Sequence, residues 1–267
     1  MADTLDVPGA RLSYDVRGAG PVLLLIPGGP ADGRVFGRIA PVLAARHTVV
    51  TYAPRGVGES TREDGAADIP IAVQADDARR VLAAVAGAPA DVLGSSGGAA
   101  TALELIARHP DRVRAVVAHE PPVVALLPDA GPLRARVEAI HGTYLAHGAG
   151  AAMAEFLVFA GFAPPGTPAP PVDGSADVAL FLGHMLRPII GYGPDAAALR
   201  AVSGRLRVGV GATSAGQVAH RTAPALAEAL GTPPVHFPGG HAGFATDPEE
   251  FAEVLHATLA GLAAQGA

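Results

Sequence analysis

The stretch that decides the fold is DVLGSSGGA, residues 91–99. A short apolar run leads into Gly-x-Ser-x-Gly, and a helical pattern follows at once. This layout is typical of a nucleophile elbow, in which a sharp turn between strand and helix holds a serine in a strained conformation with its Oγ exposed. The frame selects Ser96 over Ser95, because Gly94 and Gly98 stand two residues before and after it. Taken alone, the same letters also describe a flexible loop, so the surrounding sequence has to decide.

The length and composition of the chain fit one large domain, or one domain with an insertion. The chain has 267 residues, 49% of them hydrophobic, with a formal net charge of −6 and no basic block. This charge argues against nucleic acid as a partner. The acidic N-terminus, residues 1–6, lacks a signal-peptide core, and no apolar run reaches the roughly 18 residues of a membrane span. We therefore expect a soluble, cytoplasmic protein without a membrane partner.

Cys and Lys are both absent from the sequence, and each absence excludes a kind of site. Without Cys, thiol nucleophiles, disulfides and Cys-ligated metal sites are excluded. All 19 basic residues are arginines. That excludes a Schiff-base lysine, a pyridoxal-phosphate anchor and a Walker A phosphate loop, since each of them needs a Lys.

Strand and helix patterns alternate along both ends of the chain at intervals of about 20–30 residues, as in a doubly wound sheet. Residues 11–17 alternate in polarity and predict an antiparallel edge hairpin. Continuous apolar runs are typical of strands buried on both faces of a parallel sheet. Such strands are predicted at residues 22–26, 47–52, 91–94, 113–118, 206–212 and 235–237. The sequence therefore predicts an α/β fold with a mostly parallel, doubly wound sheet.

The alternation stops between residues 121 and 194, where no clear strand pattern occurs. Helical patterns fill this segment, and a Pro-rich linker interrupts them at residues 164–171. We predict a helical cap, residues 121–194, inserted into a sheet domain made of residues 1–120 and 195–267. Ordinary helices of the sheet domain joined by one loop are the alternative. The predicted helices cover residues 133–145, 151–162 and 178–190.

In such a sheet, active-site residues lie at the carboxyl ends of the strands. A serine hydroxyl is a poor nucleophile at neutral pH and needs a base to take its proton. His241 follows the last predicted strand among glycines that allow close approach, and it is the best candidate for that base. The other nine histidines have weaker placements, although a histidine taken blindly more often has a structural role.

The base in turn needs an acid to fix its tautomer. The usual place is the turn after the penultimate strand, here residues 211–216, but no Asp or Glu lies between Asp195 and Glu228. The remaining acid at a strand end is Glu120, on the strand next to the predicted elbow strand. A carboxylate there can reach a histidine loop above the sheet, although a solvated charge at the strand end is the alternative.

A tetrahedral oxyanion needs two preorganised N–H donors. We assign the backbone N–H of Gly97, directly after the predicted nucleophile, and that of Gly29, in the turn after the first long buried strand. A rival pattern, Gly209-x-Gly211 before a helix, lacks the third glycine of a dinucleotide fingerprint. A metal site at His236 and His241 is rejected, because no carboxylate cluster supports it.

The order of these motifs resembles the α/β-hydrolase superfamily over nearly the whole chain. PGGP at residues 27–30 resembles its oxyanion turn, where a His usually stands in place of Pro27. RGVGES at residues 55–60 resembles the loop after the following strand, and residues 94–98 resemble the elbow. The superfamily's order of nucleophile, acid and histidine also agrees.

A narrower resemblance is to the fungal zearalenone lactonases. In that family the triad acid is a Glu at the position of Glu120, so the resemblance implies a Ser96–Glu120–His241 triad and an ester or lactone bond as its target. The departures concern the substrate. This chain has no Trp, whereas those enzymes use a cap tryptophan, about where Pro188 stands, and Gly28 replaces an Asp. The matching segments are residues 94–97, 110–114, 119–122, 210–213 and 238–241.

We therefore predict a serine hydrolase of small apolar carboxylic esters or lactones that needs no cofactor or metal. C–C bond or thioester hydrolysis by the same triad is one alternative, and a slow or inactive ligand receptor on the same fold is another. The sequence leaves the oligomeric state open, a homodimer included. Residues at the oxyanion turn, in the cap and after His241 are candidates for substrate contact, although apolar residues at helical spacing more often form core. These candidates are Gly28, Leu126, Leu127, Met153, Phe156, Phe159, Met185, Pro188 and Phe244.

Overall fold

The computed structural model describes residues 2–63, 65, 67–164 and 175–265. Within these residues, nine strands form a single sheet. Seven of them correspond closely to the predicted strands, and most of the continuous apolar runs form buried strands. The strands are β1 (Asp3–Val7), β2 (Ala10–Arg17), β3 (Val22–Ile26), β4 (Thr48–Tyr52), β5 (Thr61–Arg62), β6 (Ala90–Ser95), β7 (Val113–His119), β8 (Leu206–Gly211) and β9 (Val235–Phe237).

The sheet has the strand order β1-β2-β4-β3-β6-β7-β8-β9, with β5 paired to β2. Strand β2 pairs antiparallel with β1, β4 and β5, and every neighbouring pair from β4 to β9 is parallel. The short strands β1 and β5 have no continuous apolar run, and the sequence did not predict them. The predicted α/β fold with a mostly parallel sheet is confirmed.

The core lies on both faces of the sheet, and β3 shows why its sequence is apolar throughout. Leu24 and Ile26 belong to a hydrophobic cluster on one face, while Leu23 and Leu25 belong to a second cluster on the other. Successive side chains of a strand point to opposite faces, so a strand covered on both sides needs an apolar residue at every position.

The helices cover the two faces of the sheet and the region between β7 and β8. The first cluster includes residues of α2, α3 and α9, and the second includes residues of α1 and α11. The helices are α1 (Ile39–Leu43), α2 (Ile71–Val85), α3 (Gly97–Arg108), α4 (Ala130–His147), α5 (Ala149–Ala160), α6 (Ala176–Leu180), α7 (Leu186–Gly191), α8 (Ala196–Ala201), α9 (Val218–Leu230), α10 (Gly243–Thr246) and α11 (Pro248–Gln265).

The segment predicted as a cap lies between β7 and β8 and contains α4 to α7, with a π-helical turn at Phe181–Met185 joining α6 to α7. Most of the Pro-rich linker, residues 165–171, lies outside the described residues. Val137, Ile140 and Phe181 share the first hydrophobic cluster with the strands, so these helices pack directly on the sheet domain. The division of the chain into core and cap stays a prediction.

No helix within the described residues is long and apolar enough to cross a membrane.

Candidate active site

The elbow forms where β6 ends at Ser95 and α3 begins at Gly97. Ser96 stands between them with φ 55° and ψ −124°, a backbone conformation that residues other than glycine rarely adopt. The flanking glycines are required by space. A Cβ on Gly94 would lie 2.3 Å from the carbonyl oxygen of Gly98, and a Cβ on Gly98 would lie 2.2 Å from that of Ile26.

The end of β7 supports this turn and carries Glu120 beside it. The Ser96 N–H donates to the His119 carbonyl at 2.9 Å, and the Glu120 N–H donates to the Gly209 carbonyl at 3.0 Å. Glu120 also has a positive φ, 49°. Ser96 and Glu120 are the two non-glycine residues with a positive φ in the described parts of the chain. Such strain persists only where the surrounding structure over-determines it, and it clusters at functional sites.

The side chains of Glu120 and His241 form a direct hydrogen bond. His241 Nδ1 lies 2.6 Å from Glu120 Oε2. The second oxygen, Oε1, accepts from the Gly211 N–H at 2.9 Å and from the Ser214 hydroxyl. Burial of Glu120 by itself raises the pKa of its carboxyl, but the hydrogen bonds from His241, Ser214 and the Gly211 N–H outweigh burial and lower the pKa to about 2. Glu120 is therefore an ionised carboxylate at 0% exposure.

His119, the residue before Glu120, is also buried, but its side chain carries no charge. Its ring packs edge-on against Phe237 and Phe251, and neither ring nitrogen has a hydrogen-bond partner among the described residues. Burial lowers the pKa of this imidazole to about 4, although the charge of Glu120 acts in the opposite direction. His119 is therefore neutral near pH 7, and its ring centroid lies 6.4 Å from that of His241.

Ser96 and His241 line one apolar cavity of about 40 Å³, together with Gly29 and Gly97. Gly29 has φ 61° and nothing within 4 Å of its Cβ position, so its backbone conformation is what favours glycine there. The rest of the wall is apolar. It is formed by Pro122, Phe156, Phe159, Ala160, Phe162, Phe181, Leu186, Ile189, Ile190, Val218 and Ala219.

Gly28, a predicted substrate contact, packs against the elbow instead. A Cβ at this position would lie 2.5 Å from the Ser95 carbonyl oxygen, 2.7 Å from Ser96 Cβ and 2.9 Å from the Gly97 nitrogen. This contact brings the turn after β3 against the start of α3, with Gly29 and Gly97 on the same cavity wall.

Of the predicted pocket residues, Phe156 and Phe159 line the cavity. Six other described residues of that set do not line it. Leu126, Met153 and Met185 pack in or against the first hydrophobic cluster, and Leu127 and Pro188 are half-buried outside the cavity lining. Phe244 lies in the second cluster, with its ring centroid 5.0 Å from that of Phe36.

Three residues near the site were not predicted from the sequence. The Phe162 ring lies 5.2 Å from the His241 ring, centroid to centroid, and also lines the cavity. Ser214 donates to Glu120 and lies 3.0 Å from His220 Nδ1. The turn after β8, which contains no acid, was a usable signal for Ser214. When the carboxylate lies on the neighbouring strand instead, it still needs hydrogen-bond donors, and this turn can supply them.

Metal ligands are not grouped at this site. No cluster of three or more His, Asp or Glu side chains that could hold a metal ion occurs among the described residues.

A parallel sheet of this strand order, with a serine elbow after β6 and a histidine loop after β9, defines the class of α/β hydrolases. The family model of the alpha/beta hydrolase fold matches residues 21–157. The chain is also 34% identical over 260 residues to the uncharacterized hydrolase YraK of Bacillus subtilis, covering 96% of this chain and 95% of that protein. The protein therefore belongs to the alpha/beta hydrolase fold family.

Two further comparisons give a relative that matches over part of its length and a solved structure of the same fold. A fluoroacetate dehalogenase of a Burkholderia species is 32% identical over 112 residues, which cover 41% of this chain and 37% of that protein. The structure of a thermophilic esterase from Thermogutta terrifontis matches with a TM-score of 0.78 at 18% identity, covering 98% of this chain and 99% of that one. The esterase structure supports the fold, and the roles of Ser96, Glu120 and His241 stay predictions.

Proposed function

We propose that the protein hydrolyses carboxylic esters or lactones through an acyl-enzyme, with Ser96 as nucleophile, His241 as base and Glu120 as the acid that orients the base. The observation that carries this proposal is the 2.6 Å bond between His241 Nδ1 and the buried Glu120 carboxylate, beside a cavity that His241 shares with Ser96. With Nδ1–H donated to Glu120, Nε2 is the unprotonated nitrogen that can accept a proton.

In this mechanism His241 takes the hydroxyl proton as Ser96 Oγ attacks the carbonyl carbon. The ionised Glu120 stabilises the imidazolium that forms. His241 then gives the proton to the leaving alcohol, or to the ring oxygen of a lactone. Water attacks the acyl carbon in the second step with His241 again as base, and Ser96 regains its proton.

The oxyanion of each tetrahedral intermediate accepts hydrogen bonds from the N–H groups of Gly97 and Gly29 in this proposal. Both residues line the cavity beside Ser96. Gly28 supports the arrangement, because its lack of a side chain lets the turn after β3 approach Ser96 Cβ and the Gly97 nitrogen.

A hydroxyl nucleophile favours acyl transfer over the carbon–halogen cleavage named for the Burkholderia relative. If Ser96 Oγ displaced a halide from an alkyl carbon, the product would be an ether, and water does not cleave an ether under mild conditions. An acyl-enzyme ester, in contrast, is readily hydrolysed by a base-activated water. Ser96 therefore supports esters, lactones and related acyl compounds as substrates.

The cavity wall supports a neutral, apolar substrate. Four phenylalanines (Phe156, Phe159, Phe162 and Phe181) line it, and no charged side chain except that of a protonated His241 does so among the described residues. A carboxylate in the acyl chain would lose its hydration in this wall without gaining a partner. The absence of Trp from the chain separates this wall from the cap tryptophan of the zearalenone lactonases.

The test is labelling with an alkyl fluorophosphonate followed by peptide mapping, with Ser96→Ala and Gly142→Ala as matched variants. We expect the label on Ser96 alone, and a loss of about 10³-fold or more in kcat/KM for Ser96→Ala with a short p-nitrophenyl ester. Gly142 is exposed on α4, so its variant should keep both label and activity. Retained activity in Ser96→Ala would overturn the mechanism, and an unlabelled native protein would favour the receptor alternative.

A further inference from the structure

Glu120 has a second oxygen that the reaction itself does not use. Oε2 bonds to His241, and Oε1 accepts from the Gly211 N–H and the Ser214 hydroxyl. A glutamate reaches its partner through three side-chain torsions, so one bond at Oε2 leaves the carboxylate plane poorly fixed. The donors at Oε1 lie on the neighbouring strand and its turn, and they fix that plane from the other side.

The single proton of the Ser214 hydroxyl can be assigned. Its oxygen lies close to Glu120 Oε1, 3.1 Å from the Gly211 carbonyl oxygen and 3.0 Å from His220 Nδ1. Glu120 is ionised and is the strongest acceptor of the three, so the hydroxyl donates to it. The Ser214 oxygen is then free to accept, and His220 is the neighbour that can donate to it through Nδ1–H.

These bonds form one chain of donors that ends at the predicted triad. In this assignment His220 Nδ1–H donates to Ser214, Ser214 donates to Glu120 Oε1, and Glu120 Oε2 accepts from His241. His220 Nδ1 itself lies 3.5 Å from Glu120 Oε1. Ser214 and Glu120 are both fully buried, whereas the His220 side chain is 25% exposed and stands at the solvent end of the chain.

We propose that Ser214 and His220 are positioning residues for Glu120, so that a five-residue constellation performs the hydrolysis. This inference rests on the proposed function. Ser214 occupies the turn after β8, where the triad acid commonly stands. Its hydroxyl holds Glu120, which lies instead at the end of the neighbouring strand β7. His220 fixes the direction in which that hydroxyl donates. Neither residue touches the substrate, and both act through the orientation of Glu120 and His241.

A purely structural role for Ser214 is the competing explanation. The Ser214 carbonyl accepts from the Gln217 N–H at 3.1 Å, which closes the turn before α9 without the side chain. The side chain is therefore not needed for that turn. The two explanations differ in what they predict for His241, because a structural role does not affect the hydrogen bond between His241 and Glu120.

The experiment compares Ser214→Ala, His220→Leu and His220→Asn in the full-length protein. The amide N–H of Asn replaces Nδ1–H as a donor, so His220→Asn should restore what His220→Leu loses. With a p-nitrophenyl ester we expect kcat to fall about 10- to 100-fold in Ser214→Ala and less in His220→Leu, with KM nearly unchanged. The low-field proton resonance of His241 Nδ1–H, assigned by its loss in His241→Ala, should shift in both variants.

Ser203→Ala and His236→Leu are the matched controls. Ser203 precedes β8 at its opposite end, and His236 is exposed on β9. Both variants should keep the kcat and the resonance of the native protein. If Ser214→Ala and His220→Leu leave the resonance unmoved and kcat within twofold, the proposal is overturned.

The resonance separates this failure from a failure of the proposed function. A native protein that cleaves no ester and takes no fluorophosphonate would refute the hydrolase mechanism, yet the resonance would still report whether Ser214 and His220 hold Glu120. If Ser214→Ala does not fold, His220→Leu carries the test, because its side chain lies partly in solvent and its loss leaves no buried gap of comparable size.

Discussion

At the scale of single residues, His119 and Glu120 are neighbours in sequence and both are buried, but one side chain is neutral and the other is charged. Glu120 keeps its charge because three donors surround it. His119 has no hydrogen-bond partner among the described residues and keeps its ring neutral instead. The predicted base His241 is therefore paired with one anion and lies near the uncharged ring of His119, so this ring adds no positive charge beside the imidazolium of the proposed mechanism.

The neutral His119 predicts that acid weakens the fold. Its pKa of about 4 in the folded protein lies below its ordinary value of 6.5. The unfolded chain therefore binds more protons between these values, and the unfolding free energy should fall by up to about 3 kcal/mol as the pH drops through this window. His119→Leu should remove that part of the slope. Urea unfolding at pH 7 and pH 5 measures it, and about 2 kcal/mol of the change falls between these two pH values.

The exposed His147 provides the control for this prediction, since His147→Leu should leave the slope as it is in the native protein. Glu120 does not interfere. Its lowered pKa supplies stability that is lost only as the pH falls from about 4.5 towards 2. Burial also lowers the pKa of both His47 and His256, but these residues are present in every variant compared. An identical pH slope in the native protein and His119→Leu would refute the prediction.

Some of the candidate site could be predicted from single residues, and some could not. The elbow motif and the glycines around His241 predict those two residues because tight turns restrict which residue types fit. Glu120 was predicted by elimination. Ser214 and His220 belong to no such motif, because a hydroxyl in a turn and an imidazole on α9 each have many ordinary roles, and the acid-free turn after β8 is the one signal that points to Ser214. Only the packing of β7 against β8 brings them to Glu120.

At the scale of elements, the turn after β8 and the loop after β9 form one assembly. The Ala212 N–H donates to the Phe237 carbonyl, and the Thr213 N–H donates to the Gly239 carbonyl, both at 3.0 Å. A Cβ on Gly211 would lie 2.7 Å from the backbone of Gly240 and 2.8 Å from Ser214 Oγ. The glycine pattern that resembled part of a dinucleotide fingerprint thus has a packing explanation.

Gly211→Ala should reduce catalysis. The added methyl group meets the backbone beside His241 and the hydroxyl that holds Glu120, so the two predicted catalytic groups must move apart. We expect kcat/KM for the p-nitrophenyl ester to fall about 10- to 100-fold, because small displacements of catalytic groups cause losses of this size. Gly142→Ala in α4 has open space at its Cβ and should keep full activity. Equal activities of the two variants would contradict this account.

The elements themselves were predicted unevenly. Buried strands were predicted well, because a strand covered on both faces must be apolar throughout. The single helix predicted at residues 178–190 is instead α6, a π-helical turn and α7. Pro188 lacks an N–H and cannot bond to the His184 carbonyl. That carbonyl accepts from the Ile69 N–H at 2.9 Å, a contact that periodicity cannot reveal.

At the scale of the whole molecule, polar contacts connect the helices between β7 and β8 to the sheet domain. Besides the bond from Ile69, Arg187 pairs with Asp68 at 2.8 Å, and the Gly58 N–H donates to Asp177 at 2.9 Å. The cavity of about 40 Å³ has room for a few waters but not for an ester with an acyl chain. We therefore predict that these helices or their phenylalanines move when substrate binds.

A reversible cross-link tests this movement, because the chain has no Cys of its own. Asp68 and His184 face each other across the contact, 3.7 Å apart at their side chains, and both are partly exposed. Cysteines at both positions should form a disulfide that fixes the helices on the sheet domain. We expect kcat/KM for an alkyl ester to fall at least about tenfold on oxidation and to recover on reduction, while each single-cysteine variant is unaffected by oxidant. Unchanged activity in the verified disulfide form would mean that substrate reaches Ser96 without opening this contact.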